Sequence, residues 1–419
     1  MISSPFTSFL ARCLGRQLDL LSRSCLSIAL AAAAISSTTV VAGSLERALV
    51  IHNRVAGVPP TPEVLTLMAG YIDGANGKTV DDAVREAMKN DAFYNVTLKN
   101  MATPWTNRDQ TVFAPLNDYT ATVVGLVHDD KDFRTILSTD QLYVGKTGLG
   151  LPNYASNSNA HYEAIEAKGL NLKDVLEPKS QSSLNGLPAE AAAGVMTSRA
   201  AAKAFFIAGT NRAMFRFTLM NHMCRDLEQV HDITRTPDFI RQDVSRSPGG
   251  DSRVYLNGCI GCHSGMDPMA KAFAYYDYKF DAATDPDALS GSIQYTAGTV
   301  HKKYLQNSAT FPYGYVTTND NWQNYWREGI NSNLGWNWKA DPSVPASGAG
   351  AKSMGEELSH SHAFAACQVE KVFKHVCLRK PADSTDHARI ETFTNNFANS
   401  GYNLKQIFVD TATYCSEGN

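Results

Sequence analysis

Long apolar runs are missing from this 419-residue chain. The stretch LSIALAAAAI, from Leu26 to Ile35, falls short of the roughly 20 residues a helix needs to cross a bilayer, which argues against a membrane span. Charge is also sparse. Only 19% of residues are charged and the net charge is -3, so the surface offers little to nucleic acid. Strand patterns are few and short, and no repeat of solenoid period is visible. Cysteine is limited to eight residues, two of which fall in one motif. The remaining composition, 43% hydrophobic, suits a soluble globular protein with one large core or two ordinary ones.

The first 42 residues have the layout of a secretory leader. Arg12, Arg16 and Arg23 precede the apolar stretch, and small residues end in Ala42. Cleavage there would deliver the protein to the periplasm or the outside. Cys13 and Cys25 lie ahead of the apolar stretch, which does not fit a lipoprotein site, and the mature chain would hold six cysteines.

Helical signals dominate the rest of the chain. Thr61 precedes Pro62 at the head of an apolar pattern, and Thr79 precedes VDDAVREAMK, whose Val80, Ala83, Val84, Ala87 and Met88 share a face. A third helix begins near Asn117. Ala213, Phe217, Met220, Cys224 and Leu227 form a stripe that points Cys224 at a core. Glycine-rich text marks loops at 145–159, around 246–255 and at PSVPASGAGAKS. Three helices close the chain, near Phe364–Leu378, Ser384–Asn399 and Leu404–Tyr414. The expected fold is mainly α with long loops: a helical N-terminal module over 43–250 and a second domain over 251–419.

The motif is CIGCH, Cys259 to His263. Random placement in this composition would give about 0.004 such matches. CxxC pairs serve redox dithiols, zinc sites and covalent haem, and only the last needs the adjacent histidine, as an iron ligand. For zinc the further ligands would be His360 and His362, a spacing that matches no common module. A dithiol of the thioredoxin type should open a helix after a strand, whereas the flanking text here looks like loop. One haem c, held by Cys259 and Cys262 with His263 on the iron, is the expected cofactor. Asp267 and Pro268 come shortly after: a ligating imidazole donates its second N–H to a carbonyl or carboxylate, for which a backbone carbonyl near Pro268 is placed, or else Asp267 simply caps a helix over PMAKAFAYYD.

The sixth iron position has several candidates. Met354, in the glycine-rich GAGAKSMGEELSH, could reach it from a mobile loop; His301, His360 and His362 are nitrogen alternatives, and an open position is the remaining one. Four tryptophans between Trp322 and Trp338, with Tyr313, Tyr315 and Tyr325, could line a haem crevice, offer a face to a polysaccharide or simply pack. Arg327 would hold the haem propionates in the first case. Cys367 and Cys377 share one helix, about 15 Å apart along its axis, so each must bond Cys224 or Cys415 and not the other.

CIGCHSGMDPMAKAFAYYD resembles the cytochrome c modules of the planctomycete-type multidomain cytochromes, whose haem motif continues into an Asp-Pro and a similar aromatic helix. HNRVAGVPPTPEVL and SGYNLKQIFVDTATYC are similar to segments that accompany those modules. The resemblance covers about half the chain in three pieces. It implies an exported monohaem c-type cytochrome, a helical module over 43–250 attached to a cytochrome c-like haem domain over 251–419. The expected role is an electron carrier that passes electrons to a redox partner protein. The resemblance implies no substrate. A haem enzyme with an open sixth position, or a haem-bearing module that binds a polysaccharide, is the alternative.

Overall fold

Capping chemistry sets the first helices. Thr61 Oγ1 accepts the Val64 N–H at the head of the helix Pro62–Ile72, where the missing proline N–H costs nothing. The Thr79 N–H donates to Asp82 Oδ2 at 3.0 Å in a reciprocal box that starts the helix Val80–Ala87. Asn117 Oδ1 accepts from Thr120 at 3.0 Å and starts Asp118–His128, a helix buried from Asp118 to Val127. The computed structural model describes residues 43–207, 209–336 and 343–417. The expected leader, residues 1–42, lies outside the described residues, as does Trp338.

The protein is mainly helical. Strands occur as three short antiparallel pairs: Gln141–Gly145 with Leu176–Ser180, Tyr276–Lys279 with Ser292–Tyr295, and Asn321–Gln323 with Ser347–Ala349. Among the described residues no helix is long and apolar enough to cross a membrane. Ser44–Asn419 forms one compact unit. Its main core draws on residues from both sides of position 250. Phe93 meets Phe408 edge to face at 5.0 Å between centroids, and Phe206 meets Phe273 at 5.6 Å. Arg54 of the helix Ser44–Ala56 donates to the Cys415 carbonyl at 3.1 Å, which ties the first described helix to the last.

The closing helices fall at His362–Cys377, Ser384–Asn399 and Leu404–Cys415. Cys367 and Cys377 do share the first of them. Cys367 is bonded to Cys224, and Cys377 to Cys415. Cys224 is the left-handed cap of Arg212–Met223, a helix buried on several faces rather than along a single stripe.

Three local expectations need correction. The text before the motif is not loop: after Asp251, which accepts the Arg253 N–H at 2.9 Å, a helical turn at Ser252–Val254 and a wider turn at Tyr255–Cys259 lead into the helix Ile260–Ala270. PMAKAFAYYD is not a helix of its own, since this helix ends at Ala270 and a strand begins at Tyr276. GAGAKSMGEELSH is not a loop either. It forms the helix Gly350–Ser359, with Met354 fully buried. Gly355 sits so close to the main chain that a Cβ there would lie 1.9 Å from the Leu137 carbonyl oxygen, so its glycine marks close packing and not mobility.

Candidate functional site

The helix Ile260–Ala270 has two unlike faces. On its back, Gly261 and Gly265 leave room for rings: an added Cβ would lie 2.4 Å from the His231 ring at Gly261 and 2.2 Å from Trp326 Nε1 at Gly265. The main chain holds the same side, with Asp232 N–H donating to the Gly261 carbonyl at 3.0 Å. Cys259, the cap residue just ahead of the helix, precedes Cys262 and His263 by three and four residues, spacings that bring the three to one side of the chain. All three are half-buried. Both thiols are free, although the other four described cysteines are in disulfides. The Cys262 thiol donates to the Leu227 carbonyl at 3.4 Å, and burial pushes its pKa up, helped by Glu228 and Asp226.

Beneath His263 lies a buried ion network. His263 Nδ1 is 3.0 Å from Asp267 Oδ1, one helical turn on. Arg212 donates to both Asp267 oxygens, from Nε at 2.7 Å and from its end group at 2.8 Å. The same guanidinium reaches Asp243 at 2.7 and 3.0 Å. Arg241 adds its main-chain N–H to Asp267 at 3.4 Å and lies over the Tyr304 ring at 4.7 Å. Burial by itself would raise the Asp267 carboxyl, but Arg212 and His263 outweigh it and hold the group far below the ordinary carboxylate range. An anionic acceptor fixes the proton on Nδ1. Nε2 points away from this pair, and among the described residues no hydrogen bond engages it.

These residues fit a covalent haem. Two thiols and one imidazole nitrogen are presented on the accessible side of one helix. Ile240, Val244 and Tyr255 form a small apolar cluster apart from the main core, with Cys259 and Ile260 packed on it. Arg246 lies 4.8 Å from the Tyr255 ring centroid and 4.4 Å from that of Phe311, a cation beside the apolar wall. The preceding turns expose Val254 and Leu256 at 48% and 53%, apolar side chains that a flat apolar group could cover.

The other expected site residues are not brought to this face by any contact seen. Met354 is in the core, in a helix that packs on the turns Phe133–Leu137 and Lys271–Phe273. Arg327 Nε donates to Glu357 Oε1 at 2.7 Å and its end group pairs with Oε2 and with the Val344 carbonyl. His301 Nε2 is 2.9 Å from Asp277, His360 Nδ1 is 2.7 Å from the Glu356 carbonyl and His362 Nε2 is 3.1 Å from Glu391. Among the described residues no group of three or more potential ligands is placed to hold a metal ion by itself. Trp322, Trp326 and Trp336 are buried, so none of the three offers an indole face to a sugar ring.

The expected acceptor, a backbone carbonyl near Pro268, is not the one found: the Asp267 carboxylate meets the imidazole, and Asp267 caps no helix over PMAKAFAYYD. Arg212 and Asp243 were missed. No local pattern links Arg212 to a carboxylate 55 residues away. Compared with family models, with curated proteins and with solved structures, the chain finds no match.

Proposed function

We propose that the chain is an exported monohaem c-type cytochrome that transfers electrons to and from a redox partner protein. Cys259 and Cys262 would hold the haem by thioether bonds and His263 Nε2 would ligate its iron. The observation that carries the reading is the pairing of two free thiols with an imidazole whose Nδ1 is committed to Asp267, all on the accessible side of one helix. Bound haem would supply a one-electron couple. The chain's own part is to fix the imidazole through Asp267 and Arg212, and to offer an apolar wall from Ile240, Val244 and Tyr255. Val254 and Leu256 would give a partner an apolar rim beside Cys259. Export is supported by the leader-like first 42 residues and by two disulfides, bonds that persist in oxidising compartments.

A second reading, an iron whose sixth position stays open to a small molecule, is favoured by one observation: Met354 would have to leave a helix in which it is fully buried. Denaturing electrophoresis of the exported protein with a haem stain tests both. Stain should stay with the polypeptide and should be lost or made extractable by Cys259→Ala or Cys262→Ala. A wild-type chain that carries no covalent haem when made with a c-type maturation system would overturn both readings.

A further inference from the structure

Away from the motif, a cavity of about 720 Å³ opens beside the helix Arg199–Phe205. No residue of the helix Ile260–Ala270 lines it. Its volume lies in the range of small-molecule sites, roughly 300–1,000 Å³. Three cations line it, Arg108, Arg199 and Lys203, against one carboxylate, Glu163. Two of these groups are already engaged. Arg108 Nε donates to the Ala204 carbonyl at 2.6 Å, and Glu163 accepts from Asn159 at 3.1 Å.

Arg199 is different. It is 7% exposed, its end group donates to the Leu289 carbonyl, and its Nε has no hydrogen-bond partner among the described residues. The buried Asp118 nearby is occupied with main-chain donors, the N–H groups of Arg199 and Ala200, at 2.6 and 3.0 Å. A buried cation with an idle donor is costly unless an acceptor completes it. The Lys203 amine is pushed down by burial and by Arg199, against the pull of Asp285, Asp287 and Glu163. Apolar side chains supply the other half of the cavity: Ile207 and Leu289 are 37% and 60% exposed at its walls, with alanine and proline between.

We propose that this cavity binds a small amphipathic carboxylate, its charged head at the Lys203 amine beside the Arg199 guanidinium and its apolar body against Ile207 and Leu289. A guanidinium and an adjacent amine suit a carboxylate head. The site is independent of the cysteine motif and stands or falls without it.

Octanoate is the probe, titrated calorimetrically into the full chain. Saturable one-to-one binding is expected. Octanol, with the same body and no charge, should bind at least about tenfold more weakly, and so should octanoate to Lys203→Met and to Arg199→Met. Arg199 also holds the Leu289 carbonyl, so circular dichroism must check that its variant stays folded; if it does not, Lys203→Met, at a half-buried surface position, decides alone. Equal binding of octanol and octanoate, unchanged affinity in Lys203→Met, or no saturable binding would each overturn the proposal. Cys259→Ala should leave octanoate affinity unchanged.

Discussion

His263 Nδ1 and Asp267 Oδ1 lie 3.0 Å apart across one turn of helix, with Asp267 fully buried and Arg212 on both of its oxygens. An imidazole that donates to a full carboxylate is a stronger electron donor at its other nitrogen than one that donates to a carbonyl. If haem binds as proposed, this would favour ferric iron. Asp267→Asn keeps an acceptor but removes the charge, so the midpoint potential should rise. A tenfold loss of preference for the ferric state corresponds to about 59 mV. Potentiometric titration measures it, and an unchanged potential in a folded, haem-loaded variant would count against the dyad. The same change removes one of the two carboxylates that Arg212 pairs with, leaving Asp243, and should cost about 1–3 kcal/mol of stability in a denaturant melt.

The back of the same helix makes a separate prediction. A Cβ at Gly265 would sit 2.2 Å from Trp326 Nε1, and Trp326 is fully buried against Trp336 at 5.0 Å between centroids. The ring has nowhere to go. Gly265→Ala should cost about 1–3 kcal/mol in a denaturant melt, while Gly258→Ala, where an added Cβ meets nothing within 4 Å, should be close to neutral.

Local signals account for what the sequence made legible. Thr61, Thr79 and Asn117 cap helices because their side chains reach donors three residues ahead, and such contacts need no knowledge of the rest of the chain. The separation of Cys367 from Cys377 comes from helix rise alone. The helix Gly350–Ser359 was hidden for the converse reason. Its glycines look like a loop until one knows that Gly350 turns the chain at φ 76° and that Gly355 lies on the Leu137 carbonyl, both consequences of tertiary packing. At the site, Asp267 was in view because it lies a turn from His263. Arg212, Asp243 and the glycine-mediated contacts with His231 and Trp326 come from distant segments and leave no periodic trace.

Met354 offers a direct test of that packing. Truncation to alanine should cost about 2–5 kcal/mol as a core cavity, whatever happens at the iron. If a thioether-to-iron charge-transfer band is present in the wild type and vanishes in Met354→Ala, the residue leaves the core to serve as sixth ligand. A wild-type spectrum without the band, together with ready carbon monoxide binding, would establish the open site.

The two disulfides should differ in weight. Cys224–Cys367 spans 143 residues and Cys377–Cys415 spans 38, so the chain-entropy account gives the first the larger effect within a range of about 2–5 kcal/mol. Non-reducing peptide maps should show these two pairs, and paired alanine substitutions followed by melts should rank them. Any map that joins Cys367 to Cys377 would contradict the helix that carries both.

Lys371 sets a pH dependence whose sign can be worked out. Its amine lies 4.4 Å from the Trp105 ring centroid, close to the buried His222, and burial pushes its pKa down to about 7, with Lys374 adding repulsion and Glu370 opposing. In the unfolded chain a lysine titrates near about 10.4. Between these two values the unfolded state holds a proton that the folded state has released, so stability should rise as pH climbs from about 7 toward about 10 and level off beyond. Below that window both states are charged and the folded state bears the full cost of the buried ammonium. Tyrosines titrate in the upper part of the same range, so the quantity to follow is the difference between the wild type and Lys371→Met, which keeps the apolar stem and has no charge to bury. The variant should be the more stable of the two at neutral pH, and the gap should close as pH rises. A gap that stays constant across the window would mean that the amine reaches water and keeps its ordinary pKa.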